Sequence, residues 1–280
     1  MNINNTYATL LSSKDYINGV LVLNQSLINV RSKYPLNVLI SLEFYNSFKE
    51  VEKILRINKI DYQILDTSFT LPDSISRKIH SRRWINTFDK LHVFGLTAFR
   101  KIVFLDSDML VVKNIDHLFE KNHLSFATAS EQVKGCENWI LPNSGMMVLE
   151  PEKNLPDKIL NIWPQVQSKK SDFSDQDLIH AYFADIIQNN QNWRVPAIYN
   201  CFVFLIDKIV KERKYNLRIK NPDNLTISVL HFAIKERPWM MSKKEIIKFY
   251  ITRFFSGKFY EIKAYRLYLL QLSKIRKLNR

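Results

Sequence analysis

The chain has 280 residues, 46% of them apolar and five of them glycine, with a formal net charge of +14. That length can bury a full core and that composition excludes disordered and fibrous proteins, so one large α/β domain with an appendage is expected. Two cysteines, Cys136 and Cys201, exclude a disulfide framework and lack metal-site spacing, which points to a reducing compartment where the sequons at Asn4, Asn24 and Asn224 stay unused. No basic leader precedes an apolar core and no apolar run reaches membrane-spanning length, so a cytoplasmic protein is expected.

In chain order, Thr6-Tyr7-Ala8-Thr9-Leu10-Leu11 predicts a first strand that breaks at Ser12-Ser13-Lys14-Asp15. Residues 16–30 show helical spacing, with Val20, Leu23, Leu27 and Val30 on one face. Strand patterns follow at residues 36–42 and 60–65, with a helical pattern over 48–57 between them. This alternation belongs to a parallel nucleotide-binding sheet. No glycine-rich loop follows the first strand, which excludes the common dinucleotide and P-loop binders, whose backbone must approach phosphate there. Residues 71–83 are polar and basic, and residues 86–99 predict a helix capped by Asn86 or Thr87 that carries Lys90.

Four apolar residues, Ile102-Val103-Phe104-Leu105, then run into Asp106-Ser107-Asp108. Such a run reads as a buried parallel strand, and side chains two apart on an extended chain face the same way. Asp106 and Asp108 are therefore expected to point together beyond the strand's carboxyl end, where open α/β sheets bind ligands. By itself the pair fits either a hard divalent cation between two carboxylates or a solvated turn with two caps. Further on, residues 111–112 and 126–129 predict strands. Residues 142–151 read as a polar corner feeding an apolar strand, and 159–167 as a helix. Ser174 caps a helix that opens with Asp175-Gln176-Asp177, Tyr199-Asn200 lies in a loop, and residues 227–232 predict a strand delivering His231.

The charge is concentrated at the end. Residues 241–280 hold eleven Lys/Arg against Glu245 and Glu261, nine of the fourteen excess charges. There Ile262, Tyr265, Leu269 and Leu272 recur at three- to four-residue spacing, predicting a basic amphipathic helix. Two coverings fit this stripe: an anionic membrane surface, making the protein peripheral there, or the body of the protein itself. The chain is accordingly divided into residues 1–240 and a helical tail, 241–280.

Taken together, the stretch from Leu10 to Tyr16, Lys90-Leu91-His92, Asp106-Ser107-Asp108, Asn143-Ser144-Gly145, Asp175-Gln176, Tyr199-Asn200, and His231-Phe232 through Pro238-Trp239 resemble the signature series of glycosyltransferase family 8. These are the retaining, metal-dependent, glycogenin-like enzymes of GT-A fold, and the resemblance covers roughly residues 6–240. It implies a Rossmann-like, mostly parallel sheet flanked by helices. It also implies transfer of a hexosyl group (glucose, galactose or N-acetylglucosamine) from a UDP-sugar to the hydroxyl of a glycan, glycolipid or protein. Residue by residue, Leu10, Ser12, Ser13 and Tyr16 stand where the family holds uracil and ribose. Asp106, Asp108 and His231 match its metal ligands, with Asp106 also reaching ribose. Lys90, Asn143, Asp175 and Gln176 surround the transferred sugar, with Lys90, Asp175 and Gln176 as its catalytic set. Ser107 and Ser144 belong with the nucleotide-sugar contacts, and Arg237 replaces a lysine on the diphosphate. Two carboxylates and an imidazole suit manganese better than magnesium, which prefers oxygen throughout.

Two departures stand out. Ala233-Ile234 replace a glycine that commonly follows the metal histidine. Phe204-Leu205-Ile206-Asp207 occupy the place of the glycogenin-type self-glucosylated tyrosine, the nearest downstream tyrosine being Tyr215, so a separate acceptor is expected. A homodimer follows only by analogy.

Two other classes share single features with the chain. A haloacid-dehalogenase-like phosphatase also places Asp-x-Asp after an apolar strand, but near its start, and with threonine or valine where this chain has Leu110. A nucleic-acid binder would explain the charge, yet most of that charge lies outside the βαβ body and no reading module is present, so nucleic acid is not an expected partner.

Overall fold

The structure, a computed structural model, describes residues 4–66, 87–128, 133–137, 140–170, 172–189, 191–217, 226–233 and 237–278. The basic stretch 71–83, Asn86 and Ile234 lie outside the described residues. The β-rich runs form β1 (Asn5–Leu11), β2 (Leu36–Ile40), β3 (Asp61–Ile64), β4 (Lys101–Leu105) and β5 (Met109–Val111). After these come β6 (Ser125–Thr128), β7 (Pro142–Leu149), β8 (Arg194–Val195), β9 (Cys201–Phe202) and β10 (Val229–His231). Helices α1 (Ile17–Asn29), α2 (Leu42–Ser47), α3 (Val51–Ile57), α4 (Leu155–Leu160) and α5 (Trp163–Lys169) cover the first half of the chain and the region after β7. They are followed by α6 (Asp175–Tyr182), α7 (Ala184–Asn189), α8 (Ile206–Arg213), α9 (Lys243–Phe255) and α10 (Phe259–Leu278).

Seven strands make one sheet in the order β3-β2-β1-β4-β7-β6-β8, and a second sheet runs β5-β10-β9. The first is mostly parallel, with β7 antiparallel to β4 and to β6. Both its faces are covered, as an uninterrupted apolar strand requires. Along β4, Val103 and Leu105 join Tyr7, Val20 and Leu23 on one side, while Ile102 and Phe104 join Phe94 and Leu178 on the other.

Several local expectations change. The helix predicted over 86–99 is a 3-10 helix, Phe88–Gly95, and Thr87 at its N-cap makes no side-chain cap bond. Three residues per turn align Phe88, Leu91 and Phe94, all fully buried, which a 3.6-residue turn would spread apart. The polar corner at 142–145 is part of β7, drawn into the ladder by pairing Thr128 with Pro142 and Leu105 with Met146. The helix predicted at 159–167 divides into α4 and α5, with Pro164 at the start of the second, where a missing N–H costs least. The 36–42 strand stops at Ile40, and Leu42 opens α2.

The predicted tail stripe is covered by the protein itself. Tyr265 and Leu272 lie in the same apolar cluster as Val20 and Val103, and Ile262 and Leu269 are half-buried. α10 starts where Asp207 accepts the backbone N–H groups of Tyr260 and Glu261, at 2.9 and 3.0 Å, a carboxylate placed at the positive helix end. Glu261 is buried and paired with Arg253 at 2.9 Å. Among the described residues no helix is long and apolar enough to cross a membrane.

Candidate active site

Strand register builds the site. β4 ends at Leu105, and the chain turns at once, with Met109 N–H donating to Asp106 O at 3.1 Å, to begin β5. β5 pairs antiparallel with β10 so that Met109 faces His231, and Phe232 N–H donates to Asp108 O at 2.9 Å. On the other side Asp106 N–H donates to Gly145 O at 2.8 Å, which sets β7 alongside. The two aspartates therefore reach one site through a turn, and the strand alternation expected from their spacing is not what joins them.

Close approach here excludes side chains at two glycines. A Cβ at Gly145 would lie 2.8 Å from Asn143 Oδ1 and from His231 Cε1, and 2.9 Å from Asp106 Oδ2. A Cβ at Gly19 on α1 would collide with the backbone oxygen of Ser107, so α1 packs directly on the 106–108 turn.

Two backbone donors determine the polar network, because their N–H groups leave no choice of direction. Gly145 N–H donates to Asn143 Oδ1 at 3.0 Å, so Asn200 Nδ2 must be the donor in its 2.8 Å bond to that same oxygen. Asn200 Oδ1 then faces His231 Nδ1 at 2.7 Å and accepts its proton. His231 Nε2 consequently stands 3.1 Å from Asp108 Oδ1 and 4.0 Å from Asp106 Oδ2. Ser144 N–H and Asn143 Nδ2 both donate to Gln176 Oε1, at 3.0 and 3.1 Å. Asp175 Oδ2, at the first position of α6, accepts from Ser144 Oγ at 3.0 Å. Ser174 N–H donates to Asp177 at 2.8 Å, holding that helix start.

Lys90 joins the two halves of the site. Its Nζ lies 2.9 Å from Asp106 Oδ1, 3.4 Å from Asp175 Oδ2 and 3.4 Å from Ser144 Oγ. Burial alone would lower its pKa, but the charges of Asp106 and Asp175 outweigh burial and hold the ammonium protonated. Burial, joined by the charge of Asp108, pushes the Asp106 carboxyl up against the opposing pull of Lys90. Burial acts on Asp108 too, yet His231 and then Arg237 prevail and hold it below the usual range.

Asp106, Asp108 and His231 each offer one ligand atom, all within 4.8 Å of one another. Asp108 Oδ1 is buried, 3.1 Å from His231 Nε2, with no satisfied hydrogen bond among the described residues. Two carboxylates and an imidazole nitrogen converging this closely form an oxygen- and nitrogen-rich set that a cation would bridge, so the residues present fit a divalent metal.

A cavity of about 450 Å³ opens beside this centre. Leu10, Ser12, Ser13 and Tyr16 line one part, and Lys90, Asp106, Ser107, Asp108 and Arg237 the other. The Arg237 guanidinium lies 4.8 Å over the Tyr16 ring, 3.9 Å from Asp108 Oδ2, and its Nε has no hydrogen-bond partner among the described residues. Asn143, Ser144, Asp175, Gln176 and His231 join this wall through the bonds above. Every residue nominated from sequence thus falls in one connected region. Asp15, Thr87 and Met240 also line the cavity and were not nominated. Neither was Asn200, fully buried, although it sits within one of the quoted motifs.

The model of glycosyl transferase family 8 matches residues 8–242, and the chain belongs to that family. Glycogenin-1 of Mus musculus is 29% identical over 234 residues, covering 83% of this chain and 65% of its own length, so the chain spans just under two-thirds of that relative. Galactinol synthase 1 of Solanum lycopersicum is 27% identical over 265 residues, covering 85% of this chain and 75% of its own. Among solved structures, the galactosyltransferase LgtC in complex with donor and acceptor sugar analogues superposes with a TM-score of 0.56 at 15% identity, covering 86% of this chain and 91% of that one. That likeness is one of fold, and the fold is the expected α/β GT-A type.

Proposed function

We propose that this protein is a metal-dependent, retaining glycosyltransferase that moves a hexosyl group from a UDP-sugar to a hydroxyl on a separate acceptor. The observation that carries this reading is the convergence of Asp106, Asp108 and His231, tied to Asn200 and Asn143 on one side and to Lys90 and Asp175 on the other, beside a cavity of about 450 Å³. Asp106, Asp108 and His231 would hold manganese in preference to magnesium, and such a cation neutralises charge developing on a diphosphate leaving group. Arg237 offers a half-buried guanidinium to the same diphosphate. Leu10, Ser12, Ser13 and Tyr16 form a wall of mixed polarity suited to uracil and ribose.

Lys90 is pinned between two carboxylates and kept charged, so it acts as a fixed positive charge beside the sugar and not as a proton donor. Asp175, oriented by Ser144 and Lys90, presents a carboxylate to the reacting sugar, where positive charge develops as the glycosidic bond breaks. The donor is glucose, galactose or N-acetylglucosamine, and the acceptor a glycan, glycolipid or protein. Leu205 and Ile206, where a self-acceptor tyrosine would stand, are buried core residues.

An anionic membrane surface as partner is assigned to the outer face of α9. Ile247, Ile251, Phe254 and Phe255, with Phe259 beyond them, are each more than half exposed, and Lys243, Lys244 and Lys248 flank them.

A screen for UDP release across UDP-glucose, UDP-galactose and UDP-N-acetylglucosamine with manganese tests the main reading. One donor should turn over, and chelation should abolish the signal. Phosphate release from phosphomonoesters without UDP release would instead make this a phosphatase.

A further inference from the structure

Lys90 and Arg237 both line the cavity, and they are held in different ways. Lys90 is gripped by carboxylates, at 2.9 Å from Asp106 and 3.4 Å from Asp175. Arg237 is seated on a ring: its guanidinium carbon lies 4.8 Å over the centre of Tyr16. Its Nε stands 3.9 Å from Asp108 Oδ2, too far for a hydrogen bond, and has no hydrogen-bond partner among the described residues. The segments that bring ring and cation together are fastened to each other directly. Trp239 Nε1 donates to Asp15 O at 2.7 Å, and the Trp239 ring stands 6.1 Å from Tyr16. Trp239 is backed in turn by Tyr268 of α10, stacked at 5.2 Å, which also meets Phe232 edge-on at 4.9 Å. The seat under Arg237 is therefore packed from behind.

The manner of holding has a chemical consequence. A guanidinium lying on an aromatic face keeps its N–H groups in its own plane, where they can fork onto phosphate oxygens. An arginine gripped by carboxylates spends those donors before any ligand arrives, and one held by its face does not. A lysine ammonium is a compact point charge with no plane to lay on a ring. The Tyr16 face thus suits arginine at position 237 in a way it would not suit lysine.

We propose that Tyr16 is a positioning residue for the diphosphate, its ring face seating the Arg237 guanidinium so that its in-plane donors meet phosphate oxygens. The inference rests on the proposed UDP-sugar reading and deepens it: a residue of the nucleoside wall also governs how tightly the phosphates are held.

The test titrates the full chain with UDP by calorimetry at constant manganese, and measures uridine as a competitor of UDP. The ratio of the two affinities isolates what the phosphates contribute. Tyr16→Leu should lower that ratio about tenfold, the loss of a desolvated cation–π seat, and Tyr16→Phe, which keeps the ring, should restore it. In an Arg237→Ala background, Tyr16→Leu should lower the ratio no further, because the seat then holds nothing. Tyr16 is half-buried, so melting curves of its variants should stay near wild type. If Tyr16→Leu fails to fold, Arg237→Lys decides: the ratio should fall, and an unchanged ratio overturns the proposal. Equal losses for UDP and uridine in Tyr16→Leu overturn it alone, because the ring would then serve only the nucleoside. A wild-type chain that binds neither UDP nor uridine overturns the glycosyltransferase reading and this proposal with it.

Discussion

At the scale of single residues, the two aspartates of the motif are unequal. Asp106 is bonded to Lys90 and partly open to the cavity, whereas Asp108 is enclosed between His231 and Arg237. Asp108→Asn preserves shape but removes one of three ligand groups and half of the carboxylate charge. Manganese-dependent UDP affinity should fall by more than about 100-fold, since even outer-sphere partners of metal sites are worth 10–100-fold. The melting temperature should fall modestly, because the amide also loses the charge pairing with His231 at 3.1 Å and Arg237 at 3.9 Å. Asp175 serves a different step. Asp175→Asn should leave UDP affinity nearly unchanged while lowering sugar transfer by about 10²-fold or more, as expected for a charge that matters only at the transition state. Equal losses in calorimetric affinity and turnover would reassign it to donor binding.

At the scale of elements, the site is a product of strand register. Met109 faces His231 across β5 and β10, and Leu105 faces Met146 across β4 and β7. A slip of one residue in either pair would turn a ligand to the opposite face. Gly145 is where the two registers converge, and any Cβ there would press on Asp106, Asn143 and His231 together. Gly145→Ala should cost about 1–3 kcal/mol of stability by overpacking. The larger loss should appear in sugar transfer, about 10²-fold, because displacements well under 1 Å act directly on the ligands. Comparing the melting temperature with kcat/KM separates the two effects. A variant with full activity would show that the site tolerates more room than this geometry allows.

At the scale of the whole molecule, charge and exposed apolar surface coincide on α9. Lys243, Lys244 and Lys248 adjoin Ile247, Ile251, Phe254 and Phe255. The wild-type chain should co-sediment with vesicles containing phosphatidylserine at low salt, and with neutral vesicles much less. Replacing Phe254 and Phe255 by aspartate should weaken that binding about tenfold or more, with sugar transfer to a soluble acceptor unchanged. Recovery of the wild-type protein in the supernatant under all conditions would remove lipid as a partner of this face.

The sequence alone determined the alternation of strands and helices, the buried run into Asp106, and the residue types of the metal centre. All of these depend on local periodicity or on motifs short enough to read along the chain. Tertiary structure alone decided which carboxylate pairs with which base, because Lys90, Asp175 and His231 meet only through the packing of the 3-10 helix, α6 and β10. It also decided the imidazole's orientation, which depends on the buried amide of Asn200, a residue quoted in a motif but with nothing along the chain to pair it with His231. The last decision was the covering of the tail. Apolar spacing at Tyr265 and Leu272 states that the stripe must leave water but is silent on what takes water's place, since lipid and protein are equally apolar. Here the core of the protein itself covers the stripe, and so Tyr268 comes to pack between Trp239 and Phe232.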